Sequence, residues 1–260
     1  MRRVLSILLL LVAIASSRAG THDGNDVVLL GDSNTWLGGD SCDNRRGWSW
    51  WFCSCYHPAT CVSYARSGAT WTNTPSTVRD ITGYSETISD NNVIYNQIYR
   101  LVDAVRTGVQ PMPELVVVMA GTNDAWFCTK RPYALSETAD EAFSRTLPAC
   151  ASEAVTLASS VRLACDILMR ELPSSRIVLI TPMQSVSAGA DAIAAVSAII
   201  ADCGQRIGLP VIRLDTDGCV KADTERRHRT YTYDGNHTNT EGARCIGEYI
   251  ARAIDNISDK

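Results

Sequence analysis

The sequence predicts an α/β fold, in which a parallel sheet of five strands is covered by helices on both faces. Short apolar segments of strand length alternate along the chain with longer segments in which apolar residues recur at helical spacing. The strand segments are apolar almost throughout, as expected for parallel strands that are buried on both faces. With 260 residues, of which 45% are hydrophobic, the chain is long enough to bury such a core.

The five predicted strands are short and mostly β-branched, which is typical of a buried sheet. They lie at residues 27–30 (VVLL), 61–64 (CVSY), 115–119 (LVVVM), 177–180 (IVLI) and 211–214 (VIRL). Four helices are predicted from apolar residues with a period of about 3.6. Their apolar positions are Ile94, Ile98, Leu101, Val102 and Val105; Leu157, Val161, Ala164 and Leu168; Ala192, Val196, Ile199, Ile200 and Cys203; and Ala243, Ile246, Ile250 and Ile254.

The last of these helices has a start signal in the sequence. Thr238 is followed three residues later by Glu241, which is the spacing of a capping box. In such a box each side chain accepts a hydrogen bond from the backbone N–H of the other residue. We therefore expect Thr238 to cap the final helix.

The first 19 residues predict a secretory signal peptide. Two arginines precede an apolar segment at residues 4–14, which is followed by small residues around Ala19. The apolar segment is shorter than the roughly 20 residues that span a bilayer, so a cleaved signal is favoured over an uncleaved anchor. We expect a secreted or periplasmic protein, cleaved near Ala19, with a single domain over residues 20–260.

The charge of the remaining chain argues against some classes of partner. Residues 1–19 contain three of the 24 basic residues and none of the 28 acidic ones, so their removal takes the net charge from -4 to about -7. An acidic chain is a poor partner for nucleic acid or an anionic membrane, and we expect no nucleic acid and no stable membrane partner. Because no Gly-x-Gly-x-x-Gly or Walker segment is present, we also expect no cofactor. The oligomeric state stays open.

All ten cysteines follow the predicted signal peptide, and an even number in an exported chain favours disulfides. Zinc binding by Cys53, Cys55, His57 and Cys61 is the alternative, but the paired C-x-x-C spacing of common zinc modules is absent. We expect few or no free thiols and no metal site. The sequence leaves the connectivity open.

Small polar residues cluster where the predicted strands end. The clusters read GDSNT at 31–35, SGAT at 67–70, AGTND at 120–124 and, before the last helix, DGNH at 234–237. Each could be an ordinary turn. Since the carboxyl ends of parallel strands share one edge of the sheet, however, we expect the four clusters to converge there.

These four clusters, in this order, resemble the four sequence blocks of the SGNH hydrolases, also called GDSL esterases and lipases. The resemblance implies a three-layer α/β/α sandwich with a flavodoxin-like parallel sheet. It also implies Ser33 as the nucleophile, His237 as the general base and Asp234 as the carboxylate that orients His237. The implied oxyanion hole consists of the backbone N–H groups of Ser33 and Gly68 and the side-chain amide of Asn123.

Two positions depart from the usual pattern of the family. The first block continues with Asn34 instead of the leucine of the family's older name. In the second block, which contains Gly68, Arg66 stands where a small or apolar residue is often found.

The chemistry of the residues agrees with this assignment. A serine hydroxyl needs an adjacent base, and histidine is suited to that task near neutral pH. Of the four histidines only His237 has a carboxylate, Asp234, three residues earlier on a loop before a helix. Trypsin-like and α/β-hydrolase schemes need a different order of residues or a Gly-x-Ser-x-Gly pentapeptide, which this chain lacks. Asp32 and Asp124 are interpreted as hydrogen-bond acceptors that brace the loops.

The substrate is predicted from the surroundings of these blocks. Trp36 and Trp71 are expected at the mouth of the site, where aromatic faces suit sugar rings. The segment GWSWWFCSCY at 47–56 is instead expected to bury Trp48, Trp51, Phe52 and Cys55. The segments predicted to rim the site, 38–46, 70–80 and 221–232, are polar.

A polar rim favours a carbohydrate esterase that removes acetyl or other short acyl groups from a small-molecule or glycan ester. A lipase, lysophospholipase or thioesterase with the same mechanism is the alternative. A non-catalytic glycan-binding module is a third hypothesis, which would require that at least one block be eroded.

Overall fold

The computed structural model describes residues 25–258, and the predicted signal peptide lies outside these residues. Its centre is a sheet of five parallel strands in the order β2-β1-β3-β4-β5. The strands are β1 (Asp26–Gly31), β2 (Thr60–Ser63), β3 (Leu115–Met119), β4 (Arg176–Ile180) and β5 (Val211–Ile212). This is the flavodoxin-like order, and the predicted fold class is confirmed.

Helices connect and cover the strands. They are α1 (Ser33–Trp36), α2 (Trp48–Tyr56), α3 (Ile94–Arg106), α4 (Thr122–Trp126), α5 (Ala139–Ser144), α6 (Leu157–Glu171), α7 (Ala190–Ile207), α8 (Leu214–Asp217), α9 (Ala222–His228) and α10 (Thr240–Ser258). The four helices predicted from periodicity correspond to α3, α6, α7 and α10. The fifth strand is shorter than expected, because Leu214 already begins α8.

The sheet separates two apolar cores, one for each set of alternating strand residues. Val28 and Leu30 of β1 pack with apolar residues of α3, α6 and α7. Their neighbours Val27 and Leu29 pack with apolar residues of α2 and α10 on the other face. All four side chains are fully buried, which explains why the strands are apolar almost throughout.

Two local expectations about the helices are wrong. The helix α10 begins at Thr240, and Asn239 rather than Thr238 caps it, by accepting a hydrogen bond from Gly242 N–H at 3.0 Å. The Thr238 hydroxyl reaches the Arg46 carbonyl oxygen instead, at 3.5 Å, so it is not available as a cap. In α2 the buried stripe is Trp48, Phe52 and Tyr56, each four residues apart, while Cys55 is exposed and Trp51 half-buried.

The structure contains one disulfide, Cys219–Cys245, and the expectation of few or no free thiols is wrong. The other eight are free thiols, although the Sγ atoms of Cys42 and Cys61 lie 3.4 Å apart. Two of the eight, Cys55 and Cys128, lie exposed on separate elements. An even number of cysteines therefore does not reveal which sulfur atoms the fold brings together. Within residues 25–258, none of the helices has the length and apolar character needed to cross a membrane.

Candidate active site

The first polar cluster places Ser33 at the carboxyl end of β1. Asp32 caps the short helix α1, and its Oδ1 accepts a hydrogen bond from Asn34 N–H at 3.1 Å. Gln97 of α3 fixes the end of the strand, because its side-chain amide bonds both the N–H and the carbonyl oxygen of Gly31 at 2.9 Å. Ser33 is thereby held at the first position of α1, with 6% of its surface exposed.

The structure brings together the three residues that were predicted to act in catalysis. Ser33 Oγ lies 2.9 Å from His237 Nε2, and His237 Nδ1 lies 2.7 Å from Asp234 Oδ2. Because a carboxylate only accepts hydrogen bonds, the imidazole proton belongs on Nδ1, which leaves Nε2 free to accept the Ser33 hydroxyl proton. The three side chains therefore form a continuous chain of hydrogen bonds across 204 residues of sequence separation.

The Asp234 carboxylate is held in its ionised form. Its partial burial would by itself raise its pKa, but the hydrogen bond with the His237 ring and those from the backbone N–H groups of His237 and Asn236 outweigh that effect. The pKa of Asp234 consequently lies below its ordinary value. An ionised Asp234 can stabilise a positive charge on His237.

The loop that follows β2, residues 65–73, is here called the Gly68 loop. Gly68 has φ +75°, and a Cβ at this position would lie 2.5 Å from the carbonyl carbon of Thr87, so only glycine fits. The loop joins the end of β1 through Arg66 N–H, which donates to the Gly31 carbonyl oxygen at 3.2 Å. This contact brings the second polar cluster beside the first.

The amide of Asn123 joins the same region from α4. Its Nδ2 donates one hydrogen bond to the Ala69 carbonyl oxygen at 2.9 Å, which leaves its second hydrogen free to point elsewhere. In the part of the chain that the structure describes, the backbone N–H groups of Ser33 and Gly68 find no acceptor. These three donors are the ones that the resemblance implies for an oxyanion hole.

Asp124 and Asp32 are both buried acceptors, as expected. Asp124 accepts hydrogen bonds from Trp71 N–H at 3.0 Å, Thr72 N–H at 2.8 Å and the Thr72 hydroxyl. Burial raises its pKa in spite of these bonds. Burial likewise raises the pKa of Asp32 to about 6, although Asn34 N–H and the nearby His237 act in the opposite direction.

The loop that carries His237, residues 230–239, is here called the His237 loop, and the residue that holds it was not predicted from the sequence. Glu225 is fully buried and accepts hydrogen bonds from Tyr231 N–H at 2.9 Å, Thr232 N–H at 3.0 Å and the Thr232 hydroxyl. In the sequence it begins the run Glu225-Arg226-Arg227-His228-Arg229, which is typical of a solvated face. The one signal in the sequence is that Glu225 is the single acidic residue at the start of this basic run.

A second missed contact joins the nucleophile to the His237 loop. Asn34 is fully buried, and its Nδ2 donates to the Asn236 carbonyl oxygen at 3.2 Å. The Asn236 side chain is fixed in turn by Ser185 Oγ at 2.7 Å and Ser187 N–H at 3.0 Å. The asparagine that departs from the family's usual leucine thus connects two of the four blocks.

Residues 29–245 match the GDSL-like lipase/acylhydrolase family. The chain belongs to this family. The resemblance that was inferred from the four blocks is thereby confirmed. No curated protein matches the sequence significantly.

Solved structures of similar fold have low sequence identity to this chain. One is a putative GDSL-like lipase from Bacteroides ovatus (15% identity, 90% of this chain and 99% of that chain covered, TM-score 0.57). A second is an acetyl xylan esterase (16% identity, 88% and 99% covered, TM-score 0.55). A third is a lipase/acylhydrolase from Enterococcus faecalis (18% identity, 89% and 96% covered, TM-score 0.53). At this level of identity the likeness concerns the fold alone.

The two tryptophans expected at the mouth of this family member's site differ in position. Trp71 is 1% exposed and donates its indole N–H to the Ala120 carbonyl oxygen at 3.1 Å, so its expected place at the mouth is wrong. Trp71 instead belongs to the apolar core, and its backbone N–H donates to Asp124. Trp36 is half-buried and faces a surface pocket. Across residues 25–258, no group of three or more His, Cys, Asp or Glu side chains is arranged to hold a metal ion.

Proposed function

We propose that this protein is a serine esterase that hydrolyses short-chain acyl esters, chiefly acetyl esters on carbohydrate, through an acyl-enzyme intermediate. The observation that carries the proposal is the chain of hydrogen bonds from Ser33 Oγ to His237 at 2.9 Å and from His237 to Asp234 at 2.7 Å. A nucleophile bonded to a base that is oriented by a third group is the arrangement that serine catalysis requires.

In the first half of the reaction, Ser33 Oγ attacks the ester carbonyl carbon and transfers its proton to His237 Nε2. Asp234 stabilises the imidazolium through Nδ1–H. The tetrahedral intermediate then collapses, the imidazolium donates its proton to the departing alcohol, and an acyl group remains on Ser33. In the second half His237 takes a proton from a water molecule as the water oxygen attacks the acyl carbon. The second tetrahedral intermediate then collapses, the bond between the acyl carbon and Ser33 Oγ breaks, the imidazolium returns its proton to Ser33 Oγ, and the carboxylic acid leaves.

The negative charge on the carbonyl oxygen needs donors that are already in place. We assign this role to the backbone N–H groups of Ser33 and Gly68 and to the free amide hydrogen of Asn123. Each such donor typically contributes about 3–4 kcal/mol to stabilisation of the transition state. The contacts of Asp124 and of Gln97 support the assignment, because they hold the loops that carry these donors.

The preference for short acyl chains rests on the polar surroundings of Ser33. The pocket beside it is lined by Asp40, Asn44 and Arg46 together with Trp36. A long acyl chain needs an apolar surface that buries each methylene, at about 0.8 kcal/mol per group. The acetyl xylan esterase of similar fold supports a carbohydrate substrate. All four blocks are intact, which argues against a non-catalytic module. The described rim segments are polar and form no apolar trough, which argues against a lipase.

We also propose that the protein is exported, on the strength of the apolar N-terminal segment and the disulfide Cys219–Cys245. Residues 20–260 would form the mature hydrolase domain.

The proposal is tested with p-nitrophenyl esters of increasing chain length and the Ser33→Ala variant as control. We expect kcat/KM to be highest for the acetate or propionate and to fall steeply by the octanoate, and acetate to be released from acetylated polysaccharides. A higher kcat/KM on octanoate or a phospholipid would replace the carbohydrate assignment by a lipase. Activity that survives in Ser33→Ala would overturn the mechanism.

A further inference from the structure

The six tryptophans of the chain fall into two groups. Three donate their indole N–H to the protein: Trp48 to Thr35 Oγ1 at 3.3 Å, Trp51 to the Arg45 carbonyl oxygen at 3.1 Å and Trp71 to the Ala120 carbonyl oxygen at 3.1 Å. Within the described residues Trp36, Trp50 and Trp126 have no such acceptor. Because a structural tryptophan usually satisfies its N–H, the second group is where a ligand-binding tryptophan should be sought.

Of that second group, Trp36 is the one that stands beside the candidate nucleophile. It lies three residues after Ser33 in α1, so that the two side chains are neighbours on one helix surface. It lines a pocket of about 340 Å³ together with Leu37, Gly39, Asp40, Asn44 and Arg46, here called the Trp36 pocket. This volume lies at the lower end of the roughly 300–1,000 Å³ that is typical of ligand sites.

The opposite wall of the pocket reaches the base. The Arg46 guanidinium lies 5.8 Å from the centre of the Tyr233 ring, and that ring stacks on the His237 ring with 5.7 Å between centroids. The Thr238 hydroxyl also donates to the Arg46 carbonyl oxygen, at 3.5 Å. The Trp36 pocket is therefore linked to Ser33 through α1 and to His237 through Arg46 and Tyr233.

The chemistry of the lining suits a hydroxylated ring. Trp36 supplies an aromatic face and a free indole N–H, and Asn44 supplies an amide. Asp40 is neutralised by Arg66 at 2.7 Å, whereas Arg46 pairs with no carboxylate among the described residues. A flat apolar face surrounded by hydrogen-bonding groups matches a sugar ring, which has apolar C–H faces and a polar edge, better than it matches an alkyl chain.

We propose that the Trp36 pocket binds the sugar ring that carries the scissile acyl group, with Trp36 as its platform and Arg46 as a donor to its oxygen atoms. The inference rests on the proposed carbohydrate esterase function and adds the residues that select the substrate. It assigns to Trp36 and Arg46 a role in binding rather than in the chemical steps.

The chain offers a matched control for each of the two residues. Trp50 is also partly buried and also contacts an arginine, since Arg45 lies 5.2 Å from its ring. Trp50 lines a different surface pocket, with Ser41, Cys42 and Cys53, that includes none of the four polar clusters. Trp50→Ala and Arg45→Ala therefore remove the same kinds of side chain without altering the Trp36 pocket.

The test compares p-nitrophenyl acetate, which has no sugar ring, with acetylated xylo-oligosaccharides and acetylated oligogalacturonides as neutral and acidic glycans. We expect Trp36→Ala and Arg46→Ala to lower kcat/KM on the better glycan about tenfold more than on p-nitrophenyl acetate, and Trp36→Phe to recover most of the loss. Trp50→Ala and Arg45→Ala should match the unsubstituted enzyme on both substrates. A loss confined to KM on the glycan would identify a binding role.

Two different failures are distinguishable. If the enzyme cleaves p-nitrophenyl acetate but releases no acetate from either glycan, the carbohydrate assignment fails and the pocket proposal falls with it. If it releases acetate and Trp36→Ala lowers both activities equally, or neither, the pocket proposal alone is overturned. In the Ser33→Ala background, deacetylated oligosaccharide should change the tryptophan fluorescence, and adding Trp36→Ala should abolish this change. An unaltered fluorescence response in the double variant would also overturn the pocket.

Discussion

The Gly68 loop and the His237 loop flank Ser33 from two sides, and a buried carboxylate holds each of them in the same way. Asp124 and Glu225 each accept hydrogen bonds from two consecutive backbone N–H groups and from one threonine hydroxyl. Both carboxylates are fully buried. A buried charge of this kind is tolerated only because its hydrogen bonds are complete, and it stabilises one shape of the loop.

The two carboxylates differ in where they come from. Asp124 lies 52 and 53 residues from its partners, next to Asn123, and so fixes the Gly68 loop relative to α4. Glu225 lies six and seven residues from its partners and joins the start of the His237 loop to the neighbouring helix α9. The side that would hold the oxyanion is therefore positioned by a long-range contact, and the side that carries the base by a local one.

Exposure differs in the same sense. Asn123 is 5% exposed, whereas the side chains of His237 and Asp234 are 22% and 36% exposed. Donors that stabilise a developing charge work best when fixed and shielded from water. The base instead has to exchange protons with a leaving alcohol and with water. The comparison suggests that the buried loop provides fixed geometry, while the half-exposed loop provides proton transfer.

The largest effect is expected from substitutions that remove the proposed nucleophile or the proposed base. Ser33→Ala and His237→Ala should each lower kcat on p-nitrophenyl acetate by roughly 10⁴- to 10⁶-fold, with unchanged unfolding by denaturant. Since nucleophile and base act as a unit, the double variant should be little worse than either single one. Additive losses would indicate that the two residues do not share a mechanism.

The second prediction compares the two buried carboxylates directly. Asp124→Asn and Glu225→Gln each replace one acceptor oxygen by an NH2 group that faces a backbone N–H donor, and each should lower the free energy of unfolding by about 2–3 kcal/mol. The loss of kcat/KM should differ, at about 100-fold for Asp124→Asn, because the Gly68 loop moves relative to Asn123, and about tenfold for Glu225→Gln. Urea unfolding and p-nitrophenyl acetate hydrolysis measure the two quantities. Equal losses of activity would remove the distinction between long-range and local support.

A third, smaller effect is expected where the two sides meet at Asn34. Asn34→Leu restores the residue of the family's older name but removes the hydrogen bond to the Asn236 carbonyl oxygen. We expect kcat to fall about tenfold with an almost unchanged KM, because one bond that aligns the base with Ser33 is lost. Full activity in this variant would show that Asn34 plays no positioning role.

The last effect concerns the pH dependence of stability at Asp32 rather than activity. Its pKa is raised to about 6 by burial, so between about pH 4 and pH 6 the folded protein retains a proton that the unfolded chain has released. Stability from this group is therefore present at low pH and is lost as the pH rises to about 6, by roughly 3 kcal/mol in total. Asp32→Asn should keep the cap of α1 and flatten this part of the stability curve. Parallel curves for the two proteins, measured by urea unfolding at several pH values, would contradict the assignment.

The sequence predicts those elements of the fold that show a repeating pattern of apolar residues along the chain. Alternating apolar segments predict the five strands, and helical spacing predicts α3, α6, α7 and α10, because burial on both faces of a sheet imposes those patterns. The sequence also pointed to Ser33, Asp234 and His237, whose side chains the structure joins by hydrogen bonds, since each belongs to a short block whose members are close in sequence.

The contacts that support the site could not be predicted, because they join residues that are far apart. Nothing near Glu225 or Gln97 in the sequence marks either of them as buried, and their roles follow from which backbone groups the fold leaves without partners. Trp71 was misplaced for the same reason, since its burial depends on the distant Asp124. Thr238 was displaced as a cap by its neighbour Asn239, a difference of one residue that the tertiary contact with Arg46 decides.

The central claim is that Ser33, activated by His237 and Asp234, becomes acylated during the reaction. It is tested most directly by treating the protein with diethyl p-nitrophenyl phosphate, which forms a stable ester with an activated serine, and mapping the modified peptide by mass spectrometry. We predict one phosphoryl group per chain, located on Ser33, with loss of esterase activity in proportion to labelling and much slower labelling of His237→Ala. Full esterase activity after complete labelling, or a label on another residue that accounts for the inactivation, would contradict the claim.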